Sequence, residues 1–499
     1  MSMPGSNRKT FLDLDAFFIV RVGIGLLILF LVSITISRIL YPFDTGHYEA
    51  FNLIPARHLL EGKNPYAFAL IPPHSMAPYG IVFYGYLAVG LTLFGFQLWF
   101  GKILTVISYG LCFWLIVKVT SRATESKEAS LVAGLVWLAM FPGQFWIAVI
   151  RPDLIGLAFA FSAVAMIFNV EKEQKIGPWY IVLTGLLAST AFFTKQTFFL
   201  PLIFIALRLL QIRKWLEFSY FIITCSGLII TGMIALNYTS DNGYFWQHFT
   251  HAKTLPYSLS QSFRTALDIL SLPTFLFFKI LAIIFVSLNL HFFRGLNRQK
   301  LLNIIQSPKS LIFCYCLVSL VWSFLSTGRT GANVNYYLEA TFLMAVVTGL
   351  IYVDLKQKGF YRLLLVMIIL LTLGGIFQLG RIGRGEYFRW QAINYYREIE
   401  ETASRIIRPG DSCISVYAEL VLRNGCSLNF DDIGEYTGGW SQILDKTFQE
   451  QVRAGNYAVI ILQTDNFQQA FPNYRLVPMS EKPPEKFYKA FLYIRNSEK

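Results

Sequence analysis

Long runs of apolar residues, separated by short polar and charged stretches, occupy most of the first 380 residues. A helix that crosses a bilayer needs about 20 largely apolar residues. Runs that approach this length therefore predict membrane-spanning helices. Twelve segments qualify: 22–37, 77–101, 103–117, 129–150, 154–170, 176–194, 196–207, 218–240, 269–290, 310–328, 340–353 and 363–380.

The basic residues between these segments predict their orientation, because cytoplasmic loops of membrane proteins carry an excess of Lys and Arg. One set of loops, taken with the N-terminus, holds 18 basic and eight acidic residues, whereas the opposite set holds eight and seven. If the first set is cytoplasmic, segments 77–101 and 103–117 cross the membrane only once between them. This interpretation gives 11 crossings and an extracytoplasmic C-terminus. Twelve full crossings remain the alternative.

The last 119 residues differ in composition from the rest of the chain. They hold 15 basic and 15 acidic residues, as an ordinary soluble domain does. Short runs rich in β-forming residues at 412–416, 458–462 and 491–494, with helical patterns at 390–407 and 440–453, predict a small α/β module. We therefore expect a polytopic transmembrane domain at 1–380, with an outer loop at 38–79, and a soluble domain at 381–499.

Composition supports this division and excludes other classes of protein. Hydrophobic residues make up 55% of the chain and charged residues 15%, against a usual 45–50% and about 25%. A soluble enzyme, a nucleic-acid-binding protein and a disordered scaffold are thereby excluded. The net charge of +13 lies in the first 380 residues, where the loops account for it. Arg8 and Lys9 precede the first apolar run without a small-residue cleavage site, which predicts an uncleaved first helix.

The six cysteines show no metal-binding spacing. Four lie in apolar segments, where we expect them to be buried as small hydrophobic residues: Cys112, Cys225, Cys314 and Cys316. Cys413 and Cys426 lie in the tail and would be able to form a disulfide in an oxidising compartment. Spacing alone leaves their pairing open.

The first outer loop is too long to be a plain connector. Residues 47–62 form an amphipathic pattern that ends at Gly62, which predicts a short helix. Asp44 precedes this pattern and has two interpretations. It caps the helix, or it is a general base at the membrane edge.

Further charged residues are predicted at the same outer face, where each needs a partner or a function. Arg151 and Asp153 form an ion pair at a helix start, or they bind a phosphate and orient a substrate. Lys195, within an apolar run, needs an anion, for which Asp153, Glu339 or a ligand phosphate would serve. Tyr337 beside Glu339 is explained by an interfacial aromatic belt.

Several motifs occur in an order that resembles a known family. They are an acid in the first outer loop, then GKNPYAF, RPD, TKQT, NYYLE and, in the tail, RPGDSCISVYAELVLRNG. Together they resemble the bacterial GT-C glycosyltransferases, specifically the family 39-like group that uses polyprenyl-phosphate-linked sugars. The resemblance implies a GT-C-like, α-helical polytopic membrane protein with about 11 to 12 transmembrane segments and a small C-terminal α/β extracytoplasmic domain. It also implies residence in the bacterial inner membrane.

The resemblance implies an inverting transfer of a sugar from a polyprenyl-phosphate donor to a hydroxyl acceptor on a glycan, lipid or protein. Asp44 matches the first-loop acid, the expected base, and Asp153 matches the second acidic position. Thr45 and Gly46 follow Asp44 where some members have a second acid, so a divalent metal is left open. A transporter or flippase of lipid-linked sugars and a non-catalytic envelope assembly subunit remain alternatives. The implied substrate-binding residues are Glu49, Arg151, Lys195, Gln196, Tyr337 and Glu339.

Overall fold

The computed structural model describes residues 11–45, 49–69, 77–170, 177–251, 253, 256–294, 307–329, 332–415, 417–428, 446–462, 472–481 and 490–496. Most of them are helical. The first nine α-helices are α1 Phe11–Leu40, α2 Leu53–Leu60, α3 Ile81–Phe94, α4 Leu98–Thr124, α5 Lys127–Ala139, α6 Phe141–Trp146, α7 Pro152–Val170, α8 Pro178–Thr194 and α9 Leu200–Gln211. The next seven are α10 Trp215–Tyr238, α11 Gly243–Phe245, α12 Leu259–Ser271, α13 Pro273–Arg294, α14 Pro308–Ser326, α15 Leu338–Gln357 and α16 Tyr361–Gln391.

Shorter helical turns lie among these helices. They are the 3₁₀ turns Ala50–Asn52, Pro65–Ala69 and Val334–Tyr337, and the π-helical turn Trp246–His251. Several helices begin where the sequence favours a start. Proline occupies the first position of α8 and α14, where its missing N–H costs nothing. Ser126 accepts a hydrogen bond from the Ala129 N–H at the start of α5.

Long apolar helices show that this is an integral membrane protein. Within the described residues, six helices are long and apolar enough to cross a membrane, and four apolar helices are shorter. Leucine and isoleucine side chains such as Leu29 on α1 and Ile223 on α10 point outward, about two thirds or more exposed. A band of this kind needs lipid around it, because soluble monomers rarely expose large contiguous apolar patches.

Several predicted segment boundaries are wrong. The break between the second and third segments falls at residues 95–97, because Gly95 ends α3 with a φ of +67°, a conformation that glycine adopts readily. Lys102, which the sequence placed in the break, lies inside α4. Segment 129–150 forms two helices, because the backbone is extended at Met140 between α5 and α6. Pro142 lies in the first turn of α6, where a proline is tolerated. The 14 residues of α3 extend only about 21 Å, shorter than the apolar core of a bilayer.

Three of the four cysteines in apolar segments are buried as predicted, but Cys314 is exposed. Cys314 and Cys316 lie two residues apart on α14 and therefore face different sides of the helix. Cys316 packs into the helical core, whereas Cys314 faces outward.

Residues 393–496 contain a small α/β unit, which we call the C-terminal module. Its elements are α17 Ile393–Ser404, β1 Ser412–Ser415, α18 Glu419–Leu422, β2 Ser427–Leu428, α19 Lys446–Arg453, β3 Val459–Leu462, β4 Tyr474–Leu476 and β5 Phe491–Arg495. The strand order is β2-β1-β3-β5-β4. Strand β1 is parallel to β2 and β3, and β5 is antiparallel to β3 and β4. The predicted combination of a helical polytopic membrane part and a small C-terminal α/β domain is confirmed, with β2 and β4 as strands that the sequence did not predict. The number of crossings and the side on which the domain lies stay predictions.

The membrane part and the C-terminal module are joined continuously. Helix α16 passes through residue 380, where the sequence places the domain boundary, and ends at Gln391. The predicted helix 390–407 is therefore split between the end of α16 and α17. Residues 440–445 of the other predicted tail helix lie outside the described residues. Cys413 and Cys426 form a disulfide, which settles the pairing that their spacing left open.

Candidate active site

Asp44 lies in the extended segment that follows α1. Its Oδ2 accepts hydrogen bonds from the backbone N–H groups of Glu49 and Ala50, the latter at 3.4 Å. The carboxylate therefore lies at the start of the Ala50–Asn52 turn, as the capping interpretation predicts. The predicted helix 47–62 is observed as that turn followed by α2, while residues 46–48 lie outside the described part. The role of Asp44 as a base stays a prediction.

Glu49 is completely buried and connects the loop after α1 to the segment before α7. Its Oε2 accepts hydrogen bonds from the N–H and hydroxyl of Thr45, both at 2.8 Å. Its Oε1 accepts the N–H of Ile150, also at 2.8 Å. Asn52 adds a hydrogen bond of 2.9 Å to the Ile150 carbonyl. These contacts order the loop that carries Asp44, and binding of substrate by Glu49 stays a prediction.

Lys102 supplies the positive charge beneath this loop, although the sequence did not single it out. Its ammonium is fully buried, 3.9 Å from Glu49 Oε2. It donates to the carbonyls of Arg38 and Tyr41 at 2.9 and 3.1 Å. The signal that would have identified it is a lysine within an apolar helix, since such a charge requires partners.

Asp153 and Lys195 form a second buried site on adjacent elements. Asp153 lies in the first turn of α7, and Lys195 ends α8. Lys195 Nζ lies 2.5 Å from Asp153 Oδ1, which also accepts a hydrogen bond of 2.9 Å from Asn335. Of the two protein carboxylates that the sequence offers Lys195, Asp153 is the one that it contacts. The ammonium also lies 4.4 Å from the ring centroid of Tyr336.

Two polar atoms at this second site have unused hydrogen-bonding capacity. Asp153 Oδ2 and Asn335 Oδ1 are buried and have no hydrogen-bond partner among the described residues. Such atoms are costly to bury without a partner. Both are hydrogen-bond acceptors, so the site is suited to a ligand that brings hydroxyl groups.

Arg151 lies beside the pair, half-buried, between two aromatic rings. It donates a hydrogen bond to the Tyr79 hydroxyl, and its guanidinium carbon lies 5.7 Å from the ring centroids of Tyr79 and Trp146. Tyr79 precedes Gly80, whose N–H bonds to the Thr194 carbonyl at 3.1 Å. Arg151, Asp153 and Lys195 therefore lie together, as the sequence predicts, and Glu49 links them to the Asp44 loop.

Gln196 and Glu339, also predicted to bind substrate, have protein partners. Gln196 Nε2 lies 3.4 Å from the Tyr244 hydroxyl and 3.3 Å from His248 Nε2. Burial lowers the pKa of His248 to about 4, so its ring is neutral at physiological pH. Glu339 is buried and accepts a hydrogen bond of 2.6 Å from Tyr315. Tyr337 is buried at the end of the 3₁₀ turn before α15.

A divalent metal has no identified ligand set. Among the residues that the structure describes, no three His, Cys, Asp or Glu side chains are grouped to hold a metal ion. Asp44 contacts backbone N–H groups, and Asp153 contacts an ammonium and an amide. Both environments suit a carboxylate without a metal ion.

Comparison with solved structures shows a protein of the same fold. ArnT from Cupriavidus metallidurans, in the apo state, has a TM-score of 0.63 with 13% sequence identity, and the match covers 94% of this chain and 97% of that one. The same protein bound to undecaprenyl phosphate matches with a TM-score of 0.62 and 12% identity, over 94% of this chain and 98% of that one.

Sequence comparison adds little to the structural match. No family model matches this chain. An uncharacterized membrane protein of Bacillus subtilis strain 168, YceF, is 23% identical over 162 residues, which are 30% of this chain and 60% of that protein. The chain thus spans less than two thirds of that relative. The fold predicted by the motifs is confirmed, whereas the narrower family 39 assignment is not supported. The chain has the fold of ArnT, over almost the whole length of both chains.

Proposed function

We propose that this protein is an inverting glycosyltransferase that takes a sugar from a polyprenyl-phosphate donor and transfers it to a hydroxyl acceptor at the outer face of the bacterial inner membrane. The observation that carries the proposal is the match over almost the whole chain to ArnT, which has been solved bound to undecaprenyl phosphate. The site residues add support, because one carboxylate and two cations lie on connected elements.

The chemistry assigns a role to each residue. The acceptor oxygen forms a bond to the anomeric carbon while the bond from that carbon to the phosphate oxygen breaks. Asp44 takes the proton of the acceptor hydroxyl, a contribution of about 10²–10⁴ in rate. Polyprenyl phosphate leaves with the bonding electrons. Arg151 and Lys195 stabilise its charge, because fixed cations in a site of low dielectric need no reorganisation.

The remaining candidates bind and orient substrate in this proposal. Asp153 positions Lys195 and offers Oδ2 to a sugar hydroxyl. The further substrate-binding residues of the proposal are Glu49, Gln196, Tyr337 and Glu339. The bilayer supplies the donor, whose isoprenoid chain lies between lipid-facing helices. The Cys413–Cys426 disulfide supports an extracytoplasmic C-terminal module, since disulfides persist in oxidising compartments.

Transfer of labelled sugar from a panel of synthetic polyprenyl-phosphate sugars, with membrane extracts as the source of acceptor, tests the proposal. The wild type is compared with Asp44→Asn and with Glu61→Gln, which alters an exposed carboxylate of the same loop. We expect product with the wild type and Glu61→Gln, and a loss of at least about 100-fold with Asp44→Asn.

Other outcomes would overturn part or all of the proposal. Equal product from wild type and Asp44→Asn removes Asp44 as the base. No product with any donor, combined with movement of labelled lipid-linked sugar across proteoliposome membranes, favours a flippase. Absence of both activities favours an assembly subunit.

A further inference from the structure

The segment that carries Asp44, residues 41–45, is held by ionisable side chains at every position. Lys102 donates to the carbonyls of Tyr41 and Phe43, at 3.1 and 3.5 Å. Arg423 donates to the carbonyl of Pro42. Glu419 and Glu49 accept the backbone N–H groups of Asp44 and Thr45, at 3.0 and 2.8 Å. The segment has no secondary structure, so these side chains replace the hydrogen bonds that a helix or strand would supply.

Two of these residues belong to the C-terminal module rather than to the membrane part. Glu419 begins α18, and Arg423 follows that helix by one residue. The guanidinium of Arg423 also lies 5.7 Å from the ring centroid of Phe43 and donates to Glu400 at 3.2 Å. The module therefore contacts the segment on the residues immediately before Asp44 and on Asp44 itself.

Apolar packing joins the same two parts. Tyr41 and Phe43 are buried in one cluster with residues of the module. The ring centroids of Phe43 and Tyr396 are 5.7 Å apart. Because aromatic contacts fix the side chains and charged groups fix the backbone, residues 41–45 cannot move independently of the module.

Burial of the Glu419 side chain at this contact costs free energy. Its side chain is 1% exposed, and its Oε2 has no hydrogen-bond partner within the described part of the chain. A buried carboxylate with an unsatisfied oxygen costs more free energy than a neutral acceptor would. The backbone N–H that it accepts belongs to the residue proposed as the base.

We propose that Glu419 is a positioning residue, which holds the backbone of Asp44 from the C-terminal module and so determines where the Asp44 carboxylate lies. The inference rests on the proposed function for its effect on the reaction, but the contact itself does not. The module thereby forms part of the active site without touching the reacting atoms. A small displacement of a catalytic group lowers rates by as much as about 10²-fold.

Two substitutions separate the hydrogen bond from the ionisable carboxyl group. Glu419→Gln keeps an oxygen that accepts the Asp44 N–H, whereas Glu419→Ala removes the acceptor. Glu398→Gln is the matched control, because Glu398 accepts backbone N–H groups of Ser480 and Glu481 within the module at 2.8 and 2.9 Å. All three are made in the full-length protein in detergent, with thermal melting to confirm folding.

Amide hydrogen exchange tests the contact between Glu419 and Asp44 independently of sugar transfer. Overlapping peptides that contain residues 41–45 should exchange at least about tenfold faster in Glu419→Ala, with wild-type rates in Glu419→Gln and Glu398→Gln. Unchanged exchange at the Asp44 amide in Glu419→Ala overturns the inference, whatever the activity.

Transfer kinetics then test the consequence. We expect Glu419→Ala to lower kcat by about tenfold or more with KM for the donor little changed, and Glu419→Gln to restore most of it. Wild-type kcat in a folded Glu419→Ala overturns the positioning role. If exchange responds as expected but the wild type transfers no sugar, the contact is supported and the proposed function is what fails.

Discussion

Lys195 Nζ lies 2.5 Å from Asp153 Oδ1, and both side chains are less than a tenth exposed. The two residues are 42 positions apart, on the ends of α7 and α8. Removing one member of a buried pair leaves the other charged without compensation, which is more costly than removing both. The same pair therefore affects both the stability of this region and, through Lys195, the proposed stabilisation of the donor phosphate.

Lys195→Met should destabilise the protein by about 3–5 kcal/mol, because Asp153 then remains charged and buried. The double variant Lys195→Met/Asp153→Asn should lose less stability than the sum of the two single variants. Thermal melting in detergent measures both effects. Both variants should lose transfer activity, since the double variant restores packing but not the cation.

Lys63→Met is the control for Lys195→Met. Lys63 pairs with Glu61 at 2.8 Å, but the side chains are 55% and 34% exposed. Surface pairs of this kind contribute roughly 0–1 kcal/mol. A loss of stability in Lys195→Met no greater than in Lys63→Met would show that the buried pair does not support the fold.

Local sequence patterns predicted a large part of this architecture. Apolar runs predicted the helices because burial in lipid or core requires continuous apolar surface. Lys195 and Asp153 were identified because a charge near the membrane requires a partner, and the number of candidate partners was small. The sequence does not reveal the position of the break at Gly95, because a single left-handed glycine in an apolar run does not change the local composition.

Other features depend on contacts between distant parts of the chain. Glu419 lies 375 positions from Asp44, and no periodicity connects the two. Lys102 donates hydrogen bonds to backbone carbonyls. Every residue type carries such a carbonyl, so the sequence does not indicate which residues are the partners of Lys102. Such interactions become visible only when the tertiary structure brings the segments together.

Gly80→Ala should disturb the site only by steric overlap, because the substitution changes no charge and no hydrogen-bonding group. A Cβ at Gly80 would lie 1.8 Å from the carbonyl oxygen of Phe193, two residues before Lys195. The backbone must separate there, at a cost of about 1–3 kcal/mol, and Tyr79 would move with its contact to Arg151. We expect a fall of tenfold or more in kcat/KM, measured by sugar transfer.

Gly110→Ala provides the comparison for Gly80→Ala. Gly110 lies within α4, and nothing lies within 4 Å of its Cβ position. Alanine should stabilise that helix by about 0.5–1 kcal/mol and leave transfer unchanged. Equal activity in the two variants would contradict the close packing of residue 80 on the end of α8.

Removal of the Cys413–Cys426 disulfide should loosen the part of the module that carries Glu419. The bond closes a segment of 13 residues, and loops of this size gain about 3 kcal/mol in the chain-entropy account. Cys413→Ala/Cys426→Ala should therefore melt at lower temperature and be cut faster by trypsin after Arg423, which lies within the segment that the disulfide closes. Cys314→Ala, at an exposed free cysteine, should match the wild type in both measurements. Wild-type trypsin resistance in the double variant would show that the disulfide does not hold this segment.

The stability of the protein should fall from pH 5 to pH 8 because of Glu419. Burial, followed by the nearby Asp44 carboxylate, raises the pKa of Glu419 from 4.5 to about 8. Between these values the folded protein keeps a proton that the unfolded chain has released, so folding is favoured by acid and weakened as pH rises. The other charged or titratable groups facing Glu419 are Arg423, Lys102, Tyr41 and Tyr396.

Glu419→Gln should flatten this dependence, because the amide does not titrate. Melting temperatures from pH 5 to 8.5 measure the difference, about 1.4 kcal/mol for each pH unit at most. Glu398→Gln should leave the slope between pH 5 and pH 8.5 as it is in the wild type. Hydrogen bonding from the Ser480 N–H lowers the pKa of Glu398, so its contribution is present above pH 4.5 and is lost on further acidification. If the Glu419→Gln profile runs parallel to that of the wild type up to pH 8.5, Glu419 does not hold a proton in the folded protein, and its contact with Asp44 is that of a charged carboxylate.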